Sequence, residues 1–118
     1  MFKRGDHAVV HRFAIACRAG SAGALRGLLA AEVVAITDGG GQVAAELEPV
    51  RGPVQVARCL TGLLRPGMAL TVEAVNGQPG VVLRSVDRVV AVMSLKVTGP
   101  KVSTVWIVLN PEKLRHWE

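Results

Sequence analysis

Tyrosine is absent from the 118-residue sequence, and the aromatic complement is two phenylalanines and two tryptophans. Four such rings cannot build the stacking platform on which single-stranded nucleic acids lie. Cysteine is scarce too. Cys17 and Cys59 sit in stretches that read as amphipathic helices, which favours buried thiols over a disulfide framework, and no Cys–His cluster with metal-ligand spacing accompanies them. No apolar run is longer than five residues, the length of Val89–Met93, whereas a membrane-spanning helix needs about 20. The charged start, Phe2-Lys3-Arg4-Gly5-Asp6-His7, leads directly into an amphipathic stretch without the apolar core of a secretory signal, so the cytoplasm is the expected compartment.

What the chain does have is small aliphatic side chains: half of it is apolar, with 20 Val, 15 Ala and 12 Leu. That composition excludes intrinsic disorder and suits one core, and the length suits one domain, residues 1–118. The net charge is +5, but ten Arg and four Lys are scattered singly, with Lys3-Arg4 the one adjacent pair. A mild attraction to acidic surfaces follows, not direct DNA binding.

The hydrophobic period divides the chain. Asp6 can cap a helix in which Val10, Phe13, Ala14 and Cys17 share a face, and Gly20 stops it. Ser21 can cap a second helix carrying Leu25, Leu28 and Leu29, ending near Ala31. Val33–Thr37 is predicted as a strand, with Gln42–Glu48 folding back on it after the turn Asp38-Gly39-Gly40-Gly41. Gly52-Pro53 opens a third helix with Val56, Leu60, Leu63 and Leu64 on its buried stripe. From Met68 the period falls to two, and Asn76-Gly77, Val86-Asp87 and Gly99-Pro100 are spaced as hairpin turns. Three early helices and four late strands predict an α+β domain, with helices covering one face of an antiparallel sheet.

Three segments carry a family resemblance: Arg12-Phe13-Ala14 with Ala16-Cys17-Arg18-Ala19-Gly20, then Val34-Ala35-Ile36-Thr37-Asp38-Gly39-Gly40-Gly41, then Trp106-Ile107-Val108-Leu109-Asn110-Pro111-Glu112-Lys113-Leu114-Arg115-His116. Over nearly the whole chain the sequence resembles the SnoaL-like carboxy-terminal domain of the SigJ-like extracytoplasmic-function sigma factors. That family carries an Asp-Gly-Gly-Gly-Lys and an Asn-Pro-Asp-Lys-Leu motif. Here Gln42 replaces the lysine and Glu112 the aspartate. The resemblance implies an NTF2-like, cystatin-like cone, three helices on a curved antiparallel sheet. It also implies a non-catalytic regulatory role in transcription initiation, through contact with the sigma core and RNA polymerase. The helical regions that bind polymerase and read promoters in that family have no counterpart in these 118 residues, so an excised domain or a stand-alone relative is implied.

The alternative is a SnoaL-type isomerase, cyclase or hydrolase acting on a small apolar substrate with Asp38 as base. Such a base needs an oxyanion donor beside it, and the last three predicted strands hold no carboxylate and the chain no tyrosine. Asp38 also has a local role open to it, accepting hydrogen bonds from the amides of its glycine turn. Asn110-Pro111-Glu112-Lys113-Leu114 likewise reads as a capped helical turn, besides being the segment through which the resemblance has the domain meet the sigma factor. His7 and His11 are one helical turn apart, but with no third ligand they read as a solvated face, and neither metal nor cofactor is expected.

Two structural expectations follow. Phe13, Cys17, Leu60, Met93 and Trp106 should line or close a mainly apolar cavity fit for a small apolar ligand. The last two strands are apolar on both faces, so the face away from the helices should form a homodimer contact in the isolated domain, with Ile107 within it.

Overall fold

A computed structural model describes residues 4–39 and 48–117. The elements in order are α1 (Arg4–Arg18), α2 (Ala22–Leu28), β1 (Leu29–Asp38), β2 (Val50–Arg51), α3 (Pro53–Leu63), β3 (Met68–Val75), β4 (Gln78–Ser85), β5 (Arg88–Thr98), β6 (Lys101–Val108), α4 (Pro111–Leu114) and a final 3₁₀ turn, Arg115–Trp117. The strands form one sheet in the order β2-β1-β6-β5-β4-β3.

Local chemistry accounts for most boundaries. Gly20, at φ +64°, closes α1: its amide reaches the Cys17 carbonyl at 3.0 Å and the Ser21 amide reaches Ala16 at 3.1 Å, so two orphan carbonyls are satisfied. Ser21 then caps α2, its hydroxyl accepting from the Ala24 amide at 3.1 Å. Pro53 stands at the first turn of α3. Asn76-Gly77 has positive φ at both residues, as a two-residue hairpin between paired Val75 and Gln78 requires.

The helices α1, α2 and α3 pack on one face of the sheet. Val10, Phe13, Ala14 and Cys17 of α1, Leu25 of α2 and Val56, Ala57 and Leu60 of α3 meet Val33, Ala35, Leu70, Val81, Leu83, Met93, Leu95, Val105 and Ile107 in one buried cluster. No polar or charged side chain is buried among the described residues. The sheet curves around this cluster. Its register shifts within β4–β5, between Leu83 and Arg84, and within β5–β6, between Lys96 and Val97. Gly80 contributes too, since a Cβ there would meet the Met93 carbonyl oxygen and stand 2.6 Å from Cγ2 of Val75.

Three expectations need correcting. The sheet is mixed rather than wholly antiparallel: β3 to β6 are antiparallel neighbours, but β1 lies parallel to β6, with Ile36 opposite Trp106 and Asp38 opposite Val108. The hairpin rule applies only to strands joined by tight turns, and β1 and β6 are remote in sequence. The helix expected to run to Ala31 ends at Leu28, and β1 starts at once, at Leu29. The antiparallel partner of β1 is Val50–Arg51, pairing with Val34 and Ala35; of the predicted partner Gln42–Glu48, residues 42–47 lie outside the described residues.

Candidate functional site

β1 and β6 end side by side, and what happens there joins the two sequence motifs. The Leu109 amide donates to the Asp38 carbonyl at 2.8 Å, extending the parallel pairing by one bond. The chain then turns at Asn110, whose carbonyl accepts from the amides of Lys113 (3.1 Å) and Leu114 (3.0 Å), making α4 one helical turn. Pro111 takes the first position, where no amide hydrogen is needed. This turn swings Lys113 back over the end of β1, and its Nζ lies 2.6 Å from Oδ2 of Asp38. Leu114, beside it, is buried against Val75, Val82, Val89 and Val92 on the face of the sheet away from the three helices, with Val108 and Trp117 packed around them.

Asp38 of the first motif and Asn110, Lys113 and Leu114 of the second therefore form one junction. Gly39 is buried next to it; Gly40 and Gly41 lie outside the described residues, and so do the side chains of Pro111 and Glu112. Asp38 does not face the helix-lined core. It stands at the edge of a cleft of about 400 Å³ on the opposite face, with Ile36, Val92, Trp106 and Val108 as its apolar lining and Asn76 and Ser94 as polar neighbours.

Of the five expected cavity residues, the structure brings four together. Phe13, Cys17, Leu60 and Met93 belong to the buried core beneath the helices. Trp106 is parted from them, lining the outer cleft. Strand alternation forces the separation: Val105 and Ile107 point to the helices, so the residue between them points away. Ile107 for the same reason is core, at 1% exposure, and not part of an outer contact.

Cys17 is buried and Cys59 half-buried. Burial pushes the Cys17 thiol up to about 12, opposed weakly by the neighbouring Arg18 charge, so it is neutral and no nucleophile at physiological pH. Among the described residues no group of three His, Cys, Asp or Glu side chains could hold a metal ion. None of the described helices is long and apolar enough to cross a membrane.

No family model and no curated protein matches the sequence. Solved structures do resemble the fold. The extracytoplasmic-function sigma factor SigJ of Mycobacterium tuberculosis superposes with a TM-score of 0.69 at 23% identity, over 94% of this chain and 44% of that one. An NTF2-like protein from Burkholderia xenovorans matches at 0.62 and 18% identity, covering 98% and 97% of the two chains. The fold is NTF2-like. A LEH-like epoxide hydrolase of M. tuberculosis shares it at 0.54 and 11% identity, over 95% of this chain and 87% of that. The chain thus spans less than half of the sigma factor, and at these identities the likeness is one of fold. An NTF2-like domain hosts several functions, so the fold alone does not set this chain's.

The Asp38–Lys113 pair is what sequence reasoning missed. Its partners are 75 positions apart, and each has a complete local explanation, a glycine turn for one and a helical cap for the other. The one signal available was a carboxylate in one motif and a lysine in the other, each motif at a strand end.

Proposed function

We propose that this chain is a non-catalytic regulatory domain of an extracytoplasmic-function RNA polymerase sigma factor, modulating initiation by packing against the sigma core. The Asp38–Lys113 contact carries the reading. It unites the two motifs behind the family resemblance, at a surface junction where polar groups border an apolar cleft. A protein partner is suited to such a surface: an apolar centre supplies burial, and the charged rim supplies register. The superposition on a sigma factor over 94% of the chain supports the same context.

The enzyme reading, an isomerase, cyclase or hydrolase with Asp38 as base, has less behind it. Lys113 occupies Oδ2 of that carboxylate, and Asp38 stands at an open outer cleft, away from the helix-lined core. The isolated domain is also proposed to pair with a second copy through the outer cleft, where Ile36 is 39% exposed beside Trp106. A dimer and a sigma core would then compete for one surface.

Co-purification with the helical core of a SigJ-like sigma factor tests the main reading. The tagged domain should retain that core, and Lys113→Glu, which sets two carboxylates against each other at the junction, should weaken retention. A folded domain that retains no core would refute the proposal.

A further inference from the structure

A second cleft lies on the helix side of the sheet, at the Met68 end of β3, whereas Asn76 beyond the other end of β3 borders the Asp38 cleft. Its volume, about 470 Å³, is within the range of small-molecule sites. The C-terminal ends of α1 and α3 form its walls together with the start of β3. Cys17, Leu64, Met68 and Leu70 supply apolar lining, while Arg18 and Arg65 supply two positive charges, and among the described residues no acidic side chain lines it.

Both guanidinium groups are held in place by neutral acceptors. Arg18 donates through Nε (3.3 Å) and Nη2 (2.7 Å) to the carbonyl of Leu70, so one edge of its fork is fixed and the other is unused by these bonds. Arg65 donates through Nη1 to the carbonyls of Gly62 (3.0 Å) and Leu64 (3.4 Å), which leaves Nε and Nη2 unused by them. Among the described residues neither arginine has a carboxylate partner; the ion pairs there are Arg84–Glu73 and Lys113–Asp38. Cys17, whose burial keeps the thiol neutral, adds no negative charge to the lining. Two planar, pre-positioned donors beside an apolar lining match a carboxylate on a short hydrocarbon body, because the arginine fork donates to both carboxylate oxygens.

We propose that this cleft binds a small amphiphilic carboxylic acid, its carboxylate held by Arg18 and Arg65 and its apolar body lying on Leu64, Met68 and Leu70. This site is independent of the junction at Asp38 and of the sigma-factor reading.

Octanoate, octan-1-ol and acetate are the probes, followed by amide NMR and isothermal calorimetry on the intact chain. Octanoate should bind and shift the amides of Cys17, Leu64, Met68 and Leu70. Octan-1-ol and acetate should each bind about tenfold more weakly or worse, since each lacks one half of the recognition. Arg65→Gln, at an exposed position, should weaken octanoate by about tenfold with an unchanged fold. Arg18→Gln should do the same, and if it also loosens the end of α1, Arg65→Gln alone carries the test. No octanoate binding, equal binding of octan-1-ol or acetate, or undiminished binding by Arg65→Gln would each overturn the proposal.

Discussion

Lys113 Nζ sits 2.6 Å from Asp38 Oδ2, so the helical turn α4 is tied to the end of the first strand across 75 residues. The lysine side chain is 63% exposed, so water screens the pair and its worth to stability is small. Its value is positional. It orients α4 over the outer face while Leu114 supplies the burial. A double-mutant cycle with Asp38→Asn and Lys113→Met should therefore give a coupling of about 1 kcal/mol or less. Hydrogen exchange should nonetheless accelerate at the amides of Lys113 and Leu114, and unchanged exchange would show that the pair does not hold the turn.

Gly80→Ala should destabilise the domain by about 1–3 kcal/mol, since the new methyl overlaps the Met93 carbonyl and crowds Val75 with no flexible neighbour to yield. Chemical denaturation reads the loss.

Val86 occupies the β4–β5 turn at φ +54° and is 91% exposed, so a β-branched residue holds a left-handed backbone without packing in return. Val86→Asn should raise stability by about 1 kcal/mol, visible as a higher denaturation midpoint at unchanged slope. A lower midpoint would contradict the turn geometry.

Trp106 and Ile107 are neighbours on β6 with opposite fates, and substitutions should separate them. Ile107→Lys buries a charge in the core and should unfold the domain. Trp106→Lys alters the outer cleft and should leave a folded protein that scatters light as a 12.4 kDa monomer, against a wild-type dimer. A wild type that is itself monomeric at micromolar concentration would remove the dimer from the account.

The two thiols give a pH test. The Cys17 value in the folded chain, about 12, is above its ordinary value of about 9, so folding excludes the thiolate. The stability linked to this thiol is complete below about pH 9 and is lost as pH rises from there toward 12. At pH 8 iodoacetamide should label half-buried Cys59 long before Cys17. Equal labelling would mean that α1 opens freely.

These experiments bear on features of unequal visibility in the sequence. The buried face of α1, Val10, Phe13, Ala14 and Cys17, is legible because a helix repeats its facing positions within a single turn, and Asn76-Gly77 because its positive φ values leave few alternatives. The parallel pairing of Ile36 with Trp106 has no local signature, for it depends on which edge of the four-stranded sheet β1 joins. The sequence does not decide the face of Trp106, because β6 is apolar on both and period-two alternation has nothing to distinguish. The Asp38–Lys113 contact depends on that same pairing, which brings the end of β1 beside the end of β6, and could not be read before it.

Under the proposed function, the Asp38–Lys113 junction presents a surface that acts on a sigma core. Transcription reconstituted with RNA polymerase, the sigma core and its promoter, with and without this domain added in trans, tests it most directly. The account predicts that the domain changes the yield of initiated transcript and that Lys113→Glu, folded as judged by circular dichroism, removes most of that change. Identical transcript yields with no domain, wild-type domain and variant would contradict it.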